Sequence, residues 1–242
     1  MSEIKISESS LKNKNILYLY KTLGDLAIQL NAKVDVKNGK NRCEYRIEVP
    51  KEHKDLFLVE LEDKMADIIA VNYKYAYFKK NIKLGGLKQI EKELLLTALI
   101  SADIVEDKKY VIRRLKCFDE YSIDGIFHFR MKPLKEKWEE IVGYVPTTFS
   151  QSQLKDFISY LIKDKNSKRV YVEKSGVYDK RFNLLRRSDL MAGDSGKCLQ
   201  IKEILLSNAG VVEMCTPLVE DDERYIKEFY GDRTVFNESY FD

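Results

Sequence analysis

Residues 121–144, YSIDGIFHFRMKPLKEKWEEIVGY, constrain the fold of this chain more than any other stretch. Ile123, Ile126, Phe127, Leu134, Trp138 and Ile141, with Val145 just beyond, recur at steps of mostly three, four and seven, which stacks them on one helix face. Lys132, Lys135, Glu136, Lys137, Glu139 and Glu140 fall on the other faces, where water solvates them. The pairs Lys132/Glu136 and Lys135/Glu139 stand four apart, and each adds about 0.2–0.5 kcal/mol to an exposed helix. The only Trp lies here, so this is where the most apolar area can be hidden at once. The segment predicts a core helix, not a chemical site. Pro133 predicts a kink or a restart inside it, and Pro146 ends it.

The other segments are read from the same periodicities. Leu11, Leu19, Leu23, Leu26 and Leu30 predict a helix over residues 9–31. Two alternating runs, 32–37 and 42–49, flank Asn38-Gly39 and predict a hairpin with two positive-φ turn residues, stopped by Pro50. On its second strand Cys43, Tyr45, Ile47 and Val49 share a face. Residues 51–119 read as successive helices. Phe57, Leu61, Met65, Ile68, Asn72 and Ala76 form one stripe, Leu84-Gly85-Gly86 breaks it, and further stripes follow at 87–99 and 104–118. Ser150 with Gln153 makes a capping box, Phe149 with Leu154 a hydrophobic staple, and Leu154, Phe157, Ile158, Leu161 and Ile162 a buried face. After Asn166 strands are expected around Val170–Val172, Phe182–Leu185, 211–215 and 234–236, with helices at 197–207 and 221–230. Gly231 ends the last helix, whose acidic start suits the helix dipole.

These segments predict an α+β protein with a mainly helical centre, an N-terminal helix plus β-hairpin, and a small C-terminal α/β segment. The divisions fall at residues 1–50, 51–166 and 167–242, the last also readable as one compact unit with the core. With 44 % hydrophobic and 33 % charged residues in 242, the chain suits a globular protein with a sizeable core. No apolar run reaches the roughly 18–20 residues a membrane helix needs, and MSEIKISESS lacks the order of a signal peptide. Cys43, Cys117, Cys198 and Cys215 are scattered without a CxxC, which predicts reduced thiols in the cytoplasm. The net charge of +3, from 42 basic and 39 acidic residues, is too balanced to imply nucleic acid or membrane by itself.

Sites were weighed residue by residue. Gly193-Asp194-Ser195-Gly196-Lys197 lacks two elements of a phosphate loop: Met191 stands where the first Gly belongs, and Cys198 where Ser or Thr belongs. A loop capping the next helix is the expectation there. His53 is expected at a surface or cap, and His128 packed or hydrogen-bonded; neither has Cys or carboxylate at metal-ligand spacing. No catalytic, cofactor-binding or metal-ligating set is therefore expected. Two basic clusters offer a nucleic-acid alternative: Lys108, Lys109, Arg113 and Arg114 on one helix, and Lys168, Arg169, Arg181, Arg186 and Arg187 near Tyr171, Tyr178 and Phe182.

GIFHFRMKPLKEKWEEIV, then LKDFISYLIKDKNSKRVYV and EILLSNAGVVEMC…IKEFYGDRTVF, resembles the YtxC-like family of sporulation proteins of spore-forming Firmicutes. Against the family pattern this chain has a more basic acidic helix and carries Pro133 and Pro146. The resemblance implies a non-enzymatic cytoplasmic protein acting through an unknown protein partner, and supplies no catalytic residues to carry over. A nucleic-acid binder is the alternative, and an enzyme the third reading.

Overall fold

Alternation in Arg42–Val49 puts Cys43, Tyr45, Ile47 and Val49 on one buried face, and that strand becomes the interior of a sheet. The computed structural model describes residues 1–9, 14–116, 120–165, 168–191 and 196–237. Its fold is α+β, in two compact units that each draw on two stretches: Met1–Lys74 with Val105–Glu140, and Tyr75–Ile104 with Ile141–Asp242.

In the first unit, β3 (Arg42–Val49) pairs antiparallel with β2 (Lys33–Asn38) on one side and β1 (Ser2–Ser9) on the other, and β4 (Tyr121–Ser122) joins β1 in parallel. Ile16, Leu19, Leu23 and Ala27 of α1 (Lys14–Gln29) are buried in this unit. Two expectations need correction. The helix expected over 9–31 begins only at Lys14, because Ser9 closes β1; Leu11 lies outside the described residues. The hairpin forms, yet neither Asn38 nor Gly39 has a positive φ: Asn38 still pairs with Cys43, so the chain turns over a longer loop.

The stripe from Phe57 runs through α2 (Lys54–Asp67) as expected and then loses phase. Residues Ile68–Tyr73 form a π-helical segment before α3 (Lys74–Asn81). Its wider turn rotates everything downstream, so Asn72, Tyr73 and Lys74 are buried while Ala76 is exposed. The two stripes at 87–99 and 104–118 belong to one helix, α4 (Gln89–Leu115), with non-helical geometry at Asp103 where they meet. The segment 121–144 holds α5 (Ile123–Arg130) and α6 (Lys132–Tyr144), interrupted at Met131. Pro133 thus sits in a first turn, where its missing N–H leaves no helical bond unmade. Trp138, Ile123, Ile126, Phe127 and Leu134 are buried.

The second unit has a five-stranded sheet of order β7-β6-β5-β8-β9. β5 (Arg169–Glu173), β6 (Gly176–Tyr178) and β7 (Leu184–Leu185) form an antiparallel meander; β8 (Val211–Met214) and β9 (Thr234–Phe236) continue it in parallel. Phe182 precedes β7 and is not part of a strand. The parallel connections run through α8 (Leu199–Ser207) and α9 (Glu220–Tyr230), the kind of crossover parallel strands require. The capping box of Ser150 and Gln153 opens α7 (Gln151–Ile162), and Phe149 and Leu154 join the same apolar cluster. No described helix is long and apolar enough to cross a membrane.

Candidate functional site

Two loops shape a groove in the second unit. Gly85 N–H donates to Thr147 O at 2.7 Å, and Phe149 N–H donates back to Gly85 O at 3.1 Å. Gly86 is required beside them: its φ is +82°, and a Cβ there would stand 2.6 Å from Phe149 O. The pairing fixes residues 145–149 at the entrance to α7, and the capping box holds the first turn in place. Leu95 and Leu99 of α4, Ile141 and Tyr144 of α6, Val145, Pro146 and Phe149 of the loop, and Phe157 of α7 then enclose about 300 Å³.

Leu95 is fully covered and forms the floor; Leu99, Ile141, Val145, Phe149 and Phe157 are half-buried, and Tyr144 is 88 % exposed. The wall is aliphatic and aromatic, with the Tyr144 hydroxyl as its polar side-chain group. Such a groove gains free energy by burying an apolar side chain, at about 25 cal/mol per Å² removed from water. Nothing in its wall would polarise a bond. Sequence reasoning missed it because each of these residues reads as core. The available signal was the surplus of apolar positions converging on Pro146 from both sides.

The basic residues separate between the units. In the first, Lys108 is largely buried and bonded to Asp63 and Asp67, both at 2.8 Å, which removes it from any phosphate surface. Lys109, Arg113 and Arg114 are exposed on α4; Arg114 stacks on Tyr110 and Arg113 Nε donates to Lys109 O. In the second unit Arg169 bonds Glu213 at 2.7 Å, Arg186 lies 3.8 Å from Asp189, and Arg187 donates to Leu206 O. Lys168 and Arg181 are exposed.

Beside Arg181, Phe182 takes φ +59° with its ring 68 % exposed and stacked on Tyr171 at 4.9 Å. The loop is held by Asp179, whose carboxylate accepts the Arg181 and Asn183 N–H groups at 2.8 and 3.0 Å. Burial alone would raise the Asp179 carboxyl; those hydrogen bonds and Arg181 bring it below the usual range.

Of the Gly193–Lys197 motif, Gly193, Asp194 and Ser195 lie outside the described residues. The loop does not supply a side-chain cap through Cys198, the residue at the cap position of α8. Asp222 of α9 does that work, accepting the Ile201 N–H at 2.9 Å. His53 is half-buried ahead of α2 and makes no cap bond. His128 is exposed rather than packed, its ring edge-on to Phe127, because it falls one residue off the stripe.

The densest polar network is buried in the first unit. Asp107 accepts from Lys74 and Lys137 at 2.7 Å each and from Trp138 Nε1 at 3.0 Å. Asn15 bridges Asn72 and Glu8, and the Tyr73 hydroxyl also donates to Glu8. These groups tie the π-helical segment to β1 and α1; they join core elements and line none of the grooves described. Among the described residues no three His, Cys, Asp or Glu side chains are placed to hold a metal ion. No family model, no curated protein and no solved structure matches the chain.

Proposed function

We propose that this is a cytoplasmic, non-enzymatic interaction protein that holds an apolar segment of a protein partner in the groove between Leu99, Tyr144 and Phe157. The carrying observation is the composition of that wall, aliphatic and aromatic around a preformed recess of about 300 Å³. An association with sporulation in a Firmicute rests on the resemblance of residues 121–144, 154–172 and 203–236 to the YtxC-like family. A test selects displayed peptides on the purified protein and measures their affinity by fluorescence anisotropy. Peptides rich in Leu, Phe and Trp are expected, binding wild type at least about tenfold more tightly than Leu99→Lys or Phe157→Lys. Equal affinity for the folded variants would refute the groove.

The alternative reading, a nucleic-acid binder, is favoured by one observation: an exposed aromatic ring in left-handed geometry beside Arg181. Bulky residues rarely adopt that geometry, and an exposed ring there offers a stacking platform. Salt-dependent binding of single-stranded RNA or DNA, lost in Phe182→Ala, would move the assignment to this reading.

A further inference from the structure

A second recess of the same unit is polar where the groove is apolar, and the two share no lining residue. It encloses about 280 Å³ between β6, β7, the 3₁₀ turn Arg187–Leu190, α8 and the start of α9. Two buried carboxylates stand in its wall, Glu203 at 2 % exposure and Asp222 at 8 %. Asp222 is accounted for as the cap of α8. Glu203 is not. Its Oε2 accepts the Ser188 N–H at 2.6 Å, while its Oε1 is buried with no hydrogen-bond partner among the described residues.

A buried carboxylate oxygen without a donor is costly, and native proteins seldom tolerate one without a reason. Charges around the recess favour a positive occupant. Asp189 faces it with Arg186 as its neighbour, Lys174 stands exposed at the rim, and Lys202 is engaged with Glu93 at 2.6 Å. Arg187 acts on Glu203 from the turn, yet burial outweighs it and pushes the Glu203 carboxyl up. Asp222 is raised by burial as well. A metal ion would need more ligating side chains than the described residues bring together. An ammonium group needs only two or three oxygen acceptors, and its N–H bonds would supply the donor that Oε1 lacks.

The geometry points to a binding site for a small primary ammonium compound, its nitrogen bonded to Glu203 Oε1 and its short carbon chain lying along Leu184, Leu185 and Val219. The probe is n-butylammonium chloride, titrated into the full chain by isothermal calorimetry with 1-butanol as the uncharged control. Saturable one-to-one binding is expected for the ammonium alone, weakened about tenfold or more in Glu203→Gln, as for loss of a hydrogen bond to a charged group. The amide resonance of Ser188, bonded to the same carboxylate, should shift during titration of the wild-type protein. That readout decides the matter if Glu203→Gln does not fold. No saturable binding to wild type, equal binding of butanol, undiminished binding to folded Glu203→Gln, or an unmoved Ser188 amide would each overturn the site.

Discussion

Asp107→Ala is the substitution for which the structure makes the firmest energetic statement. The carboxylate is 1 % exposed and the Lys74 ammonium 0 %, with 2.7 Å between them. At an effective dielectric of about 20 their attraction is about 6 kcal/mol, and desolvation of the two ions offsets several kcal/mol of it. Taking the carboxylate away from beside a buried ammonium should therefore cost about 3–5 kcal/mol, although the intact pair is worth far less than that against an apolar one. Lys74→Met/Asp107→Leu should accordingly lose much less than the two single substitutions added together. Urea unfolding followed by Trp138 fluorescence reports on this unit, because Trp138 is the only Trp. With a slope near 2 kcal/mol per M, the midpoint should fall by about 2 M in Asp107→Ala. The same carboxylate sets a pH dependence. Burial alone would raise the Asp107 carboxyl, but Lys74, Lys137 and Trp138 outweigh it and hold it below the usual range. A depressed acid binds fewer protons folded than unfolded, so its stabilisation is present above the unfolded carboxylate range and lost as pH falls through the folded value. Asp107→Asn should lack that step. A cost below about 1 kcal/mol for Asp107→Ala, or an additive double substitution, would refute the reasoning.

Ser150→Ala removes the capping box of α7 and should cost about 1 kcal/mol in a thermal or denaturant melt. Gly210→Ala places a Cβ 2.0 Å from the Lys165 carbonyl oxygen, a backbone contact that cannot rotate away; about 3 kcal/mol or more should be lost. Burial pushes the Cys198 thiol up to about 11 and also raises Cys43 and Cys215, of which only Cys215 is half-exposed. Timed alkylation with peptide mapping should therefore label Cys215 before Cys43 and Cys198.

What the sequence disclosed depended on how local the signal was. Val170 and Val172, Ser150 with Gln153, and the acidic start of α9 carry their information within a few residues, and those elements form where expected. β1 was hidden because Ser2–Ser9 alternates between polar residues and Ile4 and Ile6, and its partner strand lies some forty residues on. The π-helical turn left no mark in the stripe until Ala76 emerged exposed and Lys74 buried. Both depend on long-range packing, which periodicity does not encode. The basic clusters were legible as residues but not as a surface, since the acids that engage Lys108 and Arg169 lie about 40 residues away in the chain. Glu203 gave no sign at all, because a single Glu in an apolar helix reads as surface until its burial is seen.

The central claim is that the groove beside Tyr144 receives a protein segment. Its most direct test places a photo-crosslinking benzoylphenylalanine at position 144, with a second variant carrying it at exposed position 182. After irradiation in cells, mass spectrometry identifies the adducts. The account predicts one dominant protein adduct at 144, attached through an apolar segment and abolished by Leu99→Lys, with affinity recovered from the purified pair. A nucleic-acid adduct at 182 with no protein adduct at 144 would contradict it.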